Sequence, residues 1–374
     1  MKNLELSKRF GARLLLTAVF LLALVGGITS PAAAASLSAF GTVFTSTNAV
    51  SGNQVLVYDR SSDGSLSFQG AYATGGTGTG AGLGSQSSLT LSHNNHLLFV
   101  VDAGSNQISS FAVNESGLEL VDVVSSGGTM PVSLTSYKDW LYVLNAGGSG
   151  NISGFAVGQD GSLSPLAGST QPVSNGGVGA APALAQIAFS SDGSTLVVTE
   201  KSTNLIDTYA VENGLASAPV SNPSAGLTPF GFAFDRHGHA IVSEAASGAV
   251  SSYQVDKHGF NVISATVVNS QAAACWIAIS NNGKYAYTTN AGSGSISSYN
   301  LAEDGSLTLL NATAGITGPG SSPVDMAFSN NGQTLYALAN GAHTISIFQM
   351  NADGSLTPQG TVSVPVGAIG LIAR

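Results

Sequence analysis

Glu200 and Glu244 are the two residues whose type and place point most directly to chemistry. They belong to a series of polar residues that recurs along the chain, Asn48, Asp102, Asn145, Glu200, Glu244, Asn290 and Asn340, each closing a run of alternating apolar residues. Asn and Asp suit a turn at such a point because their side chains bond nearby backbone. Glu is a poorer turn former, so two of them in consecutive repeats are read as candidate catalytic carboxylates, one serving as a general base for hydrolysis. Lys201, next to Glu200, and the amides of Asn145 and Asn290 can polarise a carbonyl group or hold a ligand.

A second series precedes the first by about a dozen residues in each repeat: Ser88, Ser133, Gln186, Gly231, Trp276 and Asp325. Trp276 offers an indole face for stacking on a ligand, or a plug. Asp325 is a candidate ligand-binding or proton-transferring carboxyl if burial raises its pKa. The histidines are placed less usefully. His93, His96, His237 and His239 fall in short turns, as does His258, and they read as surface imidazoles; His343 alone falls on the side of the longer loops. Cys275 beside Trp276 reads as packing. His237-x-His239 is a weak metal signal, so no metal and no cofactor is expected. No nucleophile elbow, phosphate loop or CxxC pair is present.

The elements that position these residues follow from self-similarity. An aliphatic residue, two mostly small or polar residues and an aromatic recur at Val55–Tyr58, Ile108–Phe111, Ile152–Phe155, Ile206–Tyr209, Val250–Tyr253, Ile296–Tyr299 and Ile345–Phe348, with the aromatics 44 to 54 residues apart. A turn and a large apolar residue follow each; four turns read Asp-Gly-Ser-Leu, at 63–66, 160–163, 304–307 and 353–356. A second hairpin precedes each aromatic, as in Gln186–Glu200 and Trp276–Asn290. Alternation broken by Asp-Gly or Asn-Gly describes antiparallel strands joined by tight turns. One period is therefore four strands, A to D, and seven periods make an all-β, seven-bladed β-propeller. The first repeat lacks strand A, and the spare segment Val366–Ala373 is expected to supply it and close the ring. The D–A loops, such as 74–86 and 169–182, are long and Gly-rich; together with the B–C turns they form the candidate binding face.

Composition narrows the class. The chain has 11 basic and 20 acidic residues, 8% of the whole and a net charge of -9, where a soluble domain usually carries about 25% charged residues. That excludes nucleic-acid binders, which need a basic face, and helical bundles rich in Glu, Lys and Arg. Lys2, Lys8, Arg9 and Arg13 precede the apolar run Leu14–Val25 and the small-residue stretch Ala32–Ala35. This order predicts a signal peptide over residues 1–35, a propeller over 36–374, a secreted location and membrane contact only during export. A monomer is expected.

The stretch x-P-x-x-A-x-S-x-D/N-G-x-x-L-Y-V-x-N followed by S-x-I-S-x-F/Y-x-x-x-x-D-G-S-L, clearest in Pro323–Leu356 and Ala273–Leu307, resembles the lactonase-type seven-bladed propellers. That group includes 6-phosphogluconolactonases and carboxymuconate-cyclising enzymes. The resemblance implies a site at the top of the channel built from His, Arg and Glu, with Pro-His sequences opening some A strands. This chain departs there: Pro131-Val132, Pro182-Ala183, Pro229-Phe230, Ala274-Cys275 and Pro323-Val324 carry neither His nor Arg. Thr199-Glu200-Lys201 is similar to a segment ending strand B in some members, which carries Glu200 over. Lys201 is the one cation expected on the loop face, so a phosphorylated substrate is disfavoured. The expectation is an exported, lactonase-like propeller that binds a small molecule or a protein partner at its loop face. The alternative is a lactone hydrolase or cyclase acting on a non-phosphorylated substrate.

Overall fold

The computed structural model describes residues 40–256 and 259–374. The expected leader, Lys257 and His258 lie outside the described residues. All seven blades fall in one compact unit, Ala35–Arg374, and every regular element described is a strand. Blade 4 shows the pattern: strand A Leu184–Phe189, B Thr195–Glu200, C Leu205–Glu212, and an outer strand D in two pieces, Leu215–Ala216 and Val220–Pro223. Each blade is an antiparallel A-B-C-D sheet. In blades 3 and 4 strand D is interrupted near Pro165 and Pro219; proline has no amide hydrogen for the ladder and is tolerated only at such edges.

The repeated aromatic of strand C explains why the pattern folds this way. Tyr58, Phe111, Phe155, Tyr209, Tyr253, Tyr299 and Phe348 are all buried. Blades splay outward from the axis, so the space between neighbours widens with radius, and a large ring on the third strand fills it. Between blades 3 and 4, for example, Tyr142, Leu144 and Ile152 pack with Ile187, Leu196 and Tyr209. Rings of this size contribute most of the burial that holds one blade on the next.

The Asp-Gly-Ser turns are equally explicable. Asp63 Oδ1 accepts from the Ser65 amide and hydroxyl, and Asp160, Asp304 and Asp353 repeat this with Ser162, Ser306 and Ser355. The intervening glycines have φ between 80° and 89°, where a Cβ would be strained. The serine hydrogen bonds hold these four carboxyls below their ordinary pKa.

Ring closure is as expected. The strand Ile369–Ala373 pairs with Thr42–Ser46 through Val43↔Ala373, Phe44↔Ile372 and Ser46↔Ile369. It is strand A of blade 1, so chain start and chain end share one sheet. Gly41 is required beside it: a Cβ there would lie 2.2 Å from the Arg374 carbonyl oxygen.

Candidate functional site

The strand-A series lines the axis. Ser88, Ser133, Gln186, Gly231, Trp276 and Asp325 occupy equivalent ladder positions, and the closing strand adds Ile369. The channel mouth on the loop face is filled by the segment 82–88, the end of the loop between blades 1 and 2. Strand A of blade 2 is consequently short, Leu89–Leu91. The segment bonds to one blade after another. Ser85 Oγ donates to the Val132 carbonyl (2.8 Å) and the Leu134 amide donates to the Ser87 carbonyl (2.8 Å), both on blade 3. The Gln86 amide donates to the Ala185 carbonyl of blade 4 (3.1 Å). The Gln86 side chain crosses the axis to blade 6, donating to the Ile277 carbonyl (2.9 Å) and accepting from its amide (3.1 Å). Gly231 of blade 5 makes room, since a Cβ there would meet Gln86 Oε1 at 2.1 Å.

Beside this plug lies a cleft of about 260 Å³. Its walls are Gly82–Ser85 of the plug, Trp276 of blade 6, Ser322, Val324, Asp325 and Asn340 of blade 7, and Ile369 and Gly370 of the closing strand. The Trp276 indole nitrogen donates to the Ser85 carbonyl (2.9 Å), and its ring lies 4.8 Å from that of Phe230. Asp325 is buried and accepts from the Ser87 backbone amide; burial holds its carboxyl well above the usual pKa. Burial penalises the charged form, and the protonated form, where present, can donate a hydrogen bond into the cleft.

Lys201 does not line the cleft. It grips the plug from the far side: Nζ donates to the Gly84 carbonyl and sits 4.7 Å from the Phe230 ring centre, and burial pushes its pKa down to about 8. Cys275 packs in the same apolar group with Ala185, Phe230 and Trp276, and burial pushes its thiol up to about 12. A thiol that weakly acidic is packing, not a nucleophile.

The strand-B series goes elsewhere, into the wedges between blades. Glu244 is buried, with Oε1 accepting from Ser224 Oγ, Ser251 Oγ (2.6 Å) and Tyr253 Oη (3.1 Å). Glu200 is equally buried, bonded to the Ser174 amide (3.0 Å), Ser174 Oγ (2.6 Å) and Thr203 Oγ1 (2.6 Å). Asn145 donates to Ser126 and Ser153, and Asn290 donates to Ser295 and Ser297 and accepts from Asn269. Each side chain ties the preceding blade's D–A loop, or its own strand C, to the end of its strand B. The expectation that Glu200 and Glu244 face one site is therefore corrected: each carboxylate has its own set of donors, and neither lines the cleft. Two members of the series were also out of register. The ladder places Ala339 and Thr47 at that point, so Asn340 and Asn48 lie one residue beyond it.

Strand C carries a partner two residues along in register. It is Ser109 for Asp102, Ser153 for Asn145, Ser251 for Glu244 and Ser297 for Asn290. In blade 4 it is Asp207. Its carboxyl lies within hydrogen-bonding reach of Glu200, and burial, with the adjoining Glu200 carboxylate, pushes it up to about 7. Asp207 Oδ2 has no hydroxyl or amide donor, so a proton on Asp207 is what can join the two carboxyls.

The histidine reading needs one correction. His239 is buried at the start of strand B of blade 5, with Nδ1 2.8 Å from Asp235 Oδ2. Strand A ends against that turn, and the Asp235 carboxylate also caps the His237 and His239 amides. No group of three metal-ligating side chains occurs among the described residues.

A seven-bladed ring with a plugged axis and a cleft at the plug's edge is the class of molecule this defines. The chain belongs to the lactonase family of seven-bladed β-propellers, whose model matches residues 51–178, 167–262 and 259–369. Solved structures agree in fold. A periplasmic gluconolactonase of Pseudomonas aeruginosa is 18% identical, with a TM-score of 0.69 over 89% of this chain and 98% of that one. Proteins provisionally assigned as 6-phosphogluconolactonases from Bacteroides fragilis and Bacteroides uniformis are each 20% identical, with TM-scores of 0.69 and 0.72 over 91% and 89% of this chain and 99% of theirs. No curated protein matched the sequence.

Sequence reasoning singled out Trp276 and Asp325, which line the cleft, but gave no place to Gln86, Ser85 and the plug. The seven-fold repeat gives no sign of a feature that one loop alone makes. The available signal was local: an interior polar run, Gly84-Ser85-Gln86-Ser87-Ser88, where the other repeats enter strand A at once.

Proposed function

We propose that this protein is an exported lactonase-type propeller that binds a small, uncharged ring compound, a lactone or a sugar, in the cleft between Trp276 and Asp325. The observation that carries the reading is the make-up of that cleft. It joins an indole, a buried carboxyl whose pKa burial raises, the Asn340 amide and a glycine-rich backbone, and its lining contains no cation. Apolar walls with a few convergent polar groups are the usual make-up of a small-molecule site. A phosphorylated ligand is disfavoured, because phosphate wants several cations or a nest of amides and Lys201 is spent on the plug. The export half of the reading rests on the basic and apolar order of residues 1–35.

Family membership and Asp325 favour one second reading, hydrolysis of the same class of compound. Water would attack the lactone carbonyl, the ring C–O bond would break, and a hydroxy acid would leave. Asp325 would donate a hydrogen bond to the carbonyl oxygen. Glu200 and Glu244 have no part in either reading.

The test is fluorescence titration. The chain has two tryptophans, so a Trp140→Phe background leaves Trp276 as the reporter. Saturable quenching by a neutral lactone or sugar, lost in Asp325→Leu, is expected. No response to any member of a lactone and sugar panel overturns the binding reading. Steady release of acid from a bound lactone, lost in Asp325→Leu, supports the second.

A further inference from the structure

The plug is not held evenly along its length. Its later part is bonded to blades 3, 4 and 6 through Ser85, Gln86 and Ser87. The loop before it is tied to blade 1, where the Asn48 side chain donates to the Ala81 carbonyl (2.7 Å) and accepts from the Thr79 amide (2.9 Å). Between these anchors lies the tip, Gly82-Leu83-Gly84, which forms part of the cleft wall. Among the described residues one side chain bonds to the tip, Lys201 through the Gly84 carbonyl. Two glycines in three residues give this stretch little stiffness of its own. Gly84 has a φ of 59°, and a Cβ there would lie 3.2 Å from the Lys201 ammonium.

The base of Lys201 is fixed. Its own amide donates to the Ala183 carbonyl (3.1 Å), and the next amide, that of Ser202, donates to the Pro182 carbonyl (3.2 Å). Its ammonium lies 4.7 Å from the Phe230 ring centre, and that centre lies 4.8 Å from the Trp276 ring. One side chain thus holds the tip on one wall of the cleft and, through Phe230, braces the indole on the other. Among the described residues no carboxylate acts on it; the titratable group that does is the Cys275 thiol. Burying an ammonium without a carboxylate partner costs free energy, which the Gly84 bond and the Phe230 ring offset. A buried, perturbed group of this kind beside a cleft is a candidate for a role in it.

We propose that Lys201 is the positioning residue of the cleft, clamping the tip Gly82-Leu83-Gly84 and, through Phe230, Trp276, so that it sets ligand affinity without touching the ligand. The role rests on the reading of the cleft as a site for a neutral ring compound. In the Trp140→Phe background, Lys201→Met keeps the apolar stem and removes the ammonium. Acrylamide should then quench Trp276 more strongly than in the parent. The member of a lactone and sugar panel, δ-valerolactone and glucose included, that binds the parent best should bind about tenfold more weakly. The melting temperature should stay within about 2 °C, because the lost bond is offset by the relieved burial of charge. Lys201→Cys treated with 2-bromoethylamine, its thiolate displacing bromide, regains an ammonium on a stem of the same length and should regain affinity. The Cys275 thiol, pushed up to about 12 by burial, is spared. Unchanged acrylamide quenching and unchanged affinity in Lys201→Met overturn the role and leave the cleft reading intact. So does a loss of affinity that only follows a fall in melting temperature, or one that persists once mass spectrometry shows the ethylamine added. A parent that binds no panel member overturns the cleft reading, and with it the effect on affinity, while acrylamide still decides the clamp.

Discussion

Two kinds of buried carboxyl stand a few strands apart in this ring. Asp102, Glu200, Asp207 and Glu244 lie in the wedges between blades, and Asp325 lies under the plug at the axis. Burial pushes up the pKa of Asp102, Asp207, Glu244 and Asp325 alike. Perturbation alone therefore does not mark a site here. What separates them is their neighbours. Asp102 is bonded to Asn53, Thr74 and Ser109, and Glu244 Oε1 accepts from three hydroxyls while its Oε2 is buried without a hydrogen-bonding partner. Asp325 has one backbone amide and an open cleft. A carboxyl enclosed in a wedge fastens two segments together; one that lines a cavity is available to a ligand.

The largest effect expected of breaking this contrast is in a wedge. Glu244→Ala strands three hydroxyls that donate to one oxygen, and should cost about 2–4 kcal/mol in urea unfolding. A loss below about 1 kcal/mol would mean that the wedge bonds do not fasten blade 5 to its neighbour loop.

The plug should respond next. Gln86→Ala frees the Ile277 amide and carbonyl at the axis, at a cost of about 1–3 kcal/mol, and loosens one wall of the cleft. Ligand affinity should fall along with stability, whereas Glu244→Ala should lower stability alone. Equal affinity in Gln86→Ala and wild type would separate the plug from the site.

Blade 4 sharpens the comparison through pH. Asp207 has its folded pKa raised to about 7, against about 3.9 in an unfolded chain. Between those values the folded state holds a proton that the unfolded state has lost. This contribution to stability is therefore present in acid, declines as pH rises from about 4 to about 7, and is absent above. Asp207→Ser restores the residue type of the sister blades. The difference in melting temperature between variant and wild type should grow with pH over that window and then level off. A constant difference would show that no proton is shared with Glu200.

Much of this was legible from the residues. The aromatic of strand C and the Asp-Gly-Ser turns are local solutions to a repeated problem, so they recur and give the blades, their number and the closing strand. Trp276 and Asp325 stood out as the one aromatic and the one acid in the strand-A series. The direction of Glu200 and Glu244 was not legible: the same alternation places a side chain toward the axis or into the wedge, depending on its partner across the ladder. Their partners, Ser174, Ser224, Ser251 and Asp207, come from other strands and loops. Asn48 and Asn340 misled because the B–C turns of blades 1 and 7 differ in register from the rest. Gln86 was invisible for the opposite reason, since its bonds reach Ile277, 191 residues away.

The most direct test of the account is a calorimetric titration of a bound lactone or sugar into Asp325→Leu and Glu244→Gln side by side. Each change removes a buried acid and keeps the branched shape of the side chain, and Asp325→Leu also removes the donor into the cleft. The account predicts about tenfold weaker binding in Asp325→Leu, about 1.4 kcal/mol, and unchanged binding in Glu244→Gln. Weaker binding in Glu244→Gln with Asp325→Leu unaffected would contradict it.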